Sequence, residues 1–308
     1  METARILETQ PLWNLRLPGG RSLLLGERPL VMGVLNLTPD SFSDGGLWIE
    51  PERAVDQALR LLAEGADLLD LGAESTRPGG GVYGAGASTV SPEEEADRLL
   101  PVLQAVRRAT DAPLSVDTRK GEVARRALDA GADLINDVSA LGDPRDTGLG
   151  RAVAAAGCPL VLMHSRGELT TMQRNIRFTD LLGEVRSELG EAMARATACG
   201  IDSEQLVLDP GIGFGKTAEQ NLALLGHLRE LASLGRPLLV GASRKSFIGK
   251  AVEQIGRPMP APQDRLPGSL AAAAWAVSGS AAIVRVHDVA ATVQFLAVWR
   301  AIGAQGVA

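Results

Sequence analysis

Eight times in 308 residues the same event recurs: a short apolar run without a helical stripe, a polar turn-forming end, then an amphipathic stretch. The first instance is the clearest. Residues 31–37 read VMGVLNL, and at Asn36 the chemistry changes: Thr38, Asp40, Ser41, Ser43 and Asp44 follow, with Pro39, Gly45 and Gly46 among them. A short apolar run bounded by turn residues reads as a strand buried on both faces. A polar loop at the carboxyl end of such a strand is where parallel α/β proteins carry their chemistry. An ordinary surface turn would look the same in isolation; it is the recurrence that separates the two.

The later strands are expected to end at Glu74, Asp117, Asn136-Asp137, His164, Asp209, Ser243-Arg244-Lys245 and Arg285-His287-Asp288. Helices are expected over 51–64, 91–109, 120–130, 145–156, 179–198, 217–234, 267–277 and 289–304, with Val55, Leu59 and Leu62 as the inner face of the first. Ser91-Pro92-Glu93-Glu94 and Thr217 to Gln220 have the form of capping boxes. The period shows in the letters, GADLLDLGA at 65–73 and GADLINDVSA at 131–140. Eight alternating units in about 270 residues match the count and size of a (β/α)8 TIM barrel. An open doubly wound sheet would ordinarily carry a dinucleotide fingerprint after its first strand, and none is present. Ahead of the first unit, two strand-like runs flank Pro18-Gly19-Gly20, which suggests a β-hairpin placed to plug the amino end of the barrel. The expected division is an extension over 1–28 and a single barrel domain over 29–308.

The formal net charge of −6 argues against nucleic acid or an anionic membrane as the main partner. Cys158 and Cys199 lack metal spacing and form no disulfide framework, which fits a reducing compartment. The opening METARILETQPLWNLRL has no long apolar core, so no signal peptide is expected. No apolar run approaches the roughly 18 residues a membrane helix needs. A cytoplasmic protein is expected.

A barrel gathers its strand ends at one mouth. The cations there would be Arg77, Arg244, Lys245, Arg285 and His287. Arginine grips phosphate bidentately and lysine as a point charge, so this set points to a phosphorylated or carboxylated small molecule. Ion pairing to acids on the same rim is the alternative. Asp117, Asn136 and Asp209 end apolar strands and would be deep, where a carboxylate needs donors. A heterocycle with paired N–H groups supplies two, although backbone N–H groups and Lys245 would also serve. Asn36 can give one oxygen to Mg²⁺ beside a diphosphate. His164 reads better as a hydrogen-bonded wall residue than as a catalyst. No convincing Ser–His–Asp or Cys–His set is present.

Seven segments carry a closer likeness, in order: MGVLNLTPDSFSDGG (32–46), GAESTRPG (72–79), SVDTRK (115–120), INDVSAL (135–141), LDPGIGFGK (208–216), GASRKSFIG (241–249) and RVHDV (285–289). They resemble the dihydropteroate synthases, pterin-binding enzymes of folate biosynthesis that sulfonamides inhibit. The resemblance implies a (β/α)8 barrel, commonly a homodimer, that joins (7,8-dihydropterin-6-yl)methyl diphosphate to 4-aminobenzoate with help from Mg²⁺. It places Asp117, Asn136, Met163, Asp209, Phe214, Lys245 and Arg285 about the pterin. Asn36, Arg77, Arg285 and His287 fall on the diphosphate, with Asn36 also on the metal. Thr76, Pro78, Phe214, Lys245 and Ser246 fall on the aminobenzoate. The implied catalytic set is Arg77, Asp117, Lys245, Arg285 and His287. A methyltetrahydrofolate–corrinoid methyltransferase would share the pterin pocket without needing the diphosphate set, and a non-catalytic pterin-binding paralogue would share the fold. This chain departs from the family pattern at Ala73, at Ser165-Arg166, and over Gly79 to Val90, a longer and more glycine-rich run than usual. That run and the loop after the first strand are expected to be poorly ordered without ligands.

Overall fold

A computed structural model describes residues 11–37, 51–74, 90–143, 146, 148–167, 172 and 176–305. Eight strands close into a parallel barrel: β3 (Leu30–Asn36), β4 (Leu68–Gly72), β5 (Leu114–Asp117), β6 (Leu134–Asp137), β7 (Leu160–Met163), β8 (Leu206–Asp209), β9 (Leu238–Val240) and β10 (Ala281–Val286), with β10 returning to pair with β3. Around them lie α1 (Pro51–Ala63), α2 (Pro92–Ala109), α3 (Gly121–Asp129), α4 (Leu149–Ala156), α5 (Leu181–Ala198), α6 (Ala218–Gly226), α7 (Leu228–Ala232), α8 (Ser246–Gln254), α9 (Leu266–Ser278) and α10 (Val289–Gln305). The (β/α)8 architecture is as expected. The expected loop disorder over 38–46 and 79–90 falls, Val90 apart, outside the described residues.

Strand pleat divides the side chains into two sets. Leu69, Leu71, Leu114, Val116, Leu160 and Leu162 point outward and join the helices in the large core. Met32, Leu68, Leu134, Val161, Val207, Leu239 and Ile283 form a second, separate cluster within the barrel. A one-residue shift along any strand exchanges the sets, so alternation fixes which residues line the interior.

The hairpin closes the amino end of that interior. β1 (Trp13–Arg16) pairs antiparallel with β2 (Ser22–Leu25), Leu15 opposite Leu23. Leu15, Leu17, Leu23 and Leu25 are buried against Met32, Leu68 and Val207. Burying a leucine contributes about 1.5–3 kcal/mol, which makes the hairpin a structural element of the barrel. Gln205 secures it: its Oε1 accepts from Arg16 N at 2.9 Å and its Nε2 donates to Arg16 O at 2.7 Å.

Three local expectations are corrected. The helix read over 217–234 is two, because His227 leaves helical geometry at φ −124°, ψ 24°. A helix absent from the sequence reading, α8, follows Lys245 directly, with no side-chain cap to announce it. α1 buries Ala54, Ala58 and Leu61, with Val55 and Leu62 partly buried against the core as expected, while Leu59 is 41% exposed. Small alanines let this helix approach the sheet closely, a contact that a search for large apolar residues overlooks.

Candidate active site

One pleat above the apolar interior layer, the same strands change character. Two residues on from Leu68, Ser115, Leu134, Val161, Val207, Leu239 and Ile283 stand Asp70, Asp117, Asn136, Met163, Asp209, Gly241 and Arg285. Register places Asn36 beside Gly72, Gly72 beside Asp117, Asp117 beside Asn136, and Met163 beside Asp209. Gly72 and Gly241 keep this layer open. A Cβ on Gly72 would lie 3.4 Å from that of Asp117, and one on Gly241 would lie 3.8 Å from that of Arg285.

Arg285 is the centre of the layer. Its Nε donates to Asp70 Oδ2 at 2.6 Å and its Nη2 to Asp117 Oδ2 at 3.2 Å. Asn136 Nδ2 donates to the same Asp70 oxygen at 3.2 Å. Asp70 Oδ1 and Asn136 Oδ1 are buried without a partner, so acceptors remain for a ligand that brings N–H groups. One guanidinium beside two carboxylates cannot neutralise both. Burial, reinforced by the nearby Asp70, pushes the Asp117 carboxyl up to about 8 against the opposing pull of Arg285. Burial disfavours the Arg285 charge, but Asp70, Asp117 and Asp209 outweigh it and raise its pKa.

Asp209 Oδ1 accepts from Gly211 N at 2.7 Å, and burial raises its carboxyl above the usual range although Lys245 opposes that shift. Lys245 lies just before α8. Its ammonium donates to Ile212 O and stands 4.5 Å from the centre of the Phe214 ring. Burial pushes its pKa down to about 8, with Arg285 adding to the shift and Asp209 and Asp117 opposing it. Phe214 also packs on a small apolar patch of Val138, Met163 and Met172. The segment presenting Phe214 turns at Gly211, Gly213 and Gly215, all at positive φ; a Cβ on Gly211 would fall 1.8 Å from His164 O.

The expected residues divide in three. Asp117, Asn136, Met163, Asp209, Phe214, Lys245 and Arg285 converge on this mouth. Asn36 ends β3, half-buried, and His287 follows β10 with its N–H and Nδ1 at 3.3 and 3.1 Å from Ser243 Oγ; Ser246 opens α8. Thr76, Arg77 and Pro78 lie outside the described residues. Arg244 does not join the open cationic set: it pairs with Asp288. Glu74 likewise pairs with Arg119 at 3.3 Å and Lys120 at 3.0 Å.

His164 is a wall residue. Lys216 Nζ donates to its Nδ1 at 2.9 Å, which leaves Nε2 to donate to Glu188 at 3.0 Å, and burial pushes its pKa down to about 4. Sequence reasoning missed Asp70. Its signal was present: an acid on the inward parity of an apolar strand, two residues before Gly72.

Comparison with known proteins points to one family. The family model described as pterin binding enzyme matches residues 32–287. A dihydropteroate synthase of Synechocystis is 47% identical, covering 92% of this chain and 95% of its own. The Xanthomonas albilineans dihydropteroate synthase solved with 4-aminobenzoic acid superposes with a TM-score of 0.84 at 46% identity, over 97% of this chain and 100% of that one. The same organism's enzyme in complex with 7,8-dihydropteroate gives 0.80 at 44% identity, over 96% and 100%. With the inward Asp, Asn and Arg layer, Lys245 beside it, and these likenesses along nearly its whole length, the chain belongs to the pterin-binding enzymes, among the dihydropteroate synthases.

Proposed function

We propose that this chain condenses (7,8-dihydropterin-6-yl)methyl diphosphate with 4-aminobenzoate to 7,8-dihydropteroate and pyrophosphate, with the pterin ring held in the inward polar layer. The observation that carries this reading is Arg285 bridging Asp70 and Asp117 beside the buried Asp209 and Lys245. Asp117, Asn136 and Asp209 present acceptors to the ring's N–H groups, Met163 and Phe214 offer apolar contact, and Lys245 serves its carbonyl edge. Asn36, Arg77, Arg285 and His287 take the diphosphate. Thr76, Pro78, Phe214, Lys245 and Ser246 shape the aminobenzoate site.

The nucleophile is an aromatic amine, neutral at pH 7, and needs no strong general base. Departure of the diphosphate needs help, and Arg77, Arg285 and His287 stabilise charge on the leaving oxygens. Carboxylates below the ring favour positive character on its methylene group when ionised. A dissociative, SN1-like displacement suits these residues. The donor set also suits Mg²⁺: Asn36 offers one amide oxygen, and among the described residues no cluster of three His, Cys, Asp or Glu could cage an ion. An ion drawing most of its oxygens from diphosphate and water needs little more from the protein. When bound, it neutralises charge on the leaving group.

Residues 29–308 act as one barrel domain with 1–28 as its extension. The protein works in the cytoplasm; no helix among the described residues is long and apolar enough to cross a membrane. It functions as a homodimer. Of the stripe at Val293, Leu296 and Trp299, packing on the core uses all three, while Trp275, Val298 and Ile302 on α9 and α10 stay 61%, 56% and 68% exposed. Mixing the two substrates with Mg²⁺ tests the activity: pyrophosphate and dihydropteroate should appear in equal amounts. Absence of both would overturn the reading, and binding of the pterin alone would favour a non-catalytic pterin-binding protein.

A further inference from the structure

Three consecutive residues between β9 and α8 each reach a different part of the site. Ser243 Oγ accepts from His287 N at 3.3 Å. Arg244 forms a two-point ion pair with Asp288, which follows His287. Lys245 reaches the Phe214 ring and Ile212 O. The fan of side chains depends on Arg244, whose φ is +59°. A residue with a Cβ rarely adopts this left-handed conformation, and where one does, its surroundings must impose it.

The surroundings here are specific. Arg244 N donates to Ser269 Oγ at 2.9 Å, and Arg244 O accepts from Arg265 Nη1 at 2.9 Å. Ser269 Oγ in turn donates to Arg265 O at 2.9 Å. Both polar backbone groups of the strained residue are therefore held by the start of α9. Arg265 is itself only 1% exposed, and its Nε donates to Pro260 O at 3.0 Å. Gly249 in α8 makes room for it: a Cβ there would lie 3.3 Å from Arg265 Nε and Nη2. Burying a guanidinium is costly unless it is fully paired, and a functional site is where a strained residue is usually maintained.

We propose that Arg265, Ser269 and Asp288 are positioning residues for Lys245: by holding Arg244 in the left-handed conformation they aim the Lys245 ammonium into the pterin pocket while Ser243 keeps His287 at the rim. The role assigned to Lys245 rests on the function proposed above.

Backbone and charge can be separated at position 244. Arg244→Asn and Arg244→Val both remove the guanidinium, but asparagine tolerates the left-handed region and a β-branched residue does not. The expected result is a KM for the pterin diphosphate at least tenfold higher in Arg244→Val than in Arg244→Asn. Ser269→Ala, which keeps Arg244 but releases its N–H, is expected to raise that KM severalfold. A second readout needs no substrate. The chain has lysines only at 120, 216, 245 and 250, so ¹³Cε-lysine NMR resolves Lys245, assigned by Lys245→Arg. In Ser269→Ala its titration midpoint should move from near 8 toward the ordinary lysine value. Equal KM in the two 244 variants, or an unmoved Lys245 midpoint in folded Ser269→Ala, would overturn the proposal. If Arg244→Val fails to fold, Ser269→Ala decides alone. A wild-type chain that makes no dihydropteroate would sink the proposed function while the titration still reads the cage.

Discussion

The two mouths of the barrel are built from the same strands and differ in almost everything else. At the amino end, Met32, Leu68, Leu134, Val161, Val207, Leu239 and Ile283 meet the leucines of the hairpin in a buried apolar cluster. One pleat further along, Asp70, Asp117, Asn136, Asp209 and Arg285 face the same axis. The first layer is stabilised by removing apolar surface from water. The second is destabilised by holding carboxylates and cations out of water, and only its internal pairing keeps the cost bearable. The contrast locates stability at one end and recognition at the other, a division general to this architecture. Substitutions at the two ends should therefore have opposite signatures.

The largest effect is expected at the polar layer. Arg285→Ala should lower turnover a hundredfold or more, on the order of 3 kcal/mol, as measured by steady-state pyrophosphate release. Near-normal turnover would remove Arg285 from the mechanism. At the other mouth, Leu15→Ala should cost about 2 kcal/mol or more of unfolding free energy and leave turnover of the folded protein unchanged. Urea titration beside a rate assay checks both halves; a large loss of turnover in folded Leu15→Ala would blur the division.

A subtler contrast concerns pH. Burial and the neighbouring Asp70 push the Asp117 carboxyl up to about 8 in the fold, against about 3.9 in an unfolded chain. Between those values the folded state holds the extra proton, so this group makes stability fall as pH rises toward 8. Asp117→Asn removes that dependence, and the variant should gain on the wild type between pH 5 and pH 8. Each tenfold difference in proton affinity between the folded and unfolded chain corresponds to about 1.4 kcal/mol, read as a difference in thermal midpoint. A constant gap between the two proteins across that range would refute the assigned ionisation. The smallest effect is expected away from both mouths: Leu59→Gln, on the exposed side of α1, should change stability by no more than about 0.5 kcal/mol.

Much of this was readable from the letters, for identifiable reasons. Strands buried on both faces leave continuous apolar runs, and their polar ends mark the mouth, so Asp117, Asn136, Asp209 and Arg285 stood out. Asp70 did not, because it sits within its strand rather than at the end, and only inward parity distinguishes it from its neighbours. For Arg244 the letters leave an open cation and an ion pair equally possible, and the fold decides for the pair by bringing up Asp288 from 44 residues away. The break at His227 follows Gly226, a poor helix former that the apolar periodicity of 217–234 masks, and the start of α8 carries no side-chain cap or proline to announce it.

A crystal structure of the protein with the pterin diphosphate bound would show where the ring sits. The ring is expected in the inward layer, its N–H groups within hydrogen-bond distance of Asp209, Asn136 or Asp117 and its diphosphate toward Asn36 and His287. A ring seated elsewhere, with those side chains still paired only to one another, would contradict that placement.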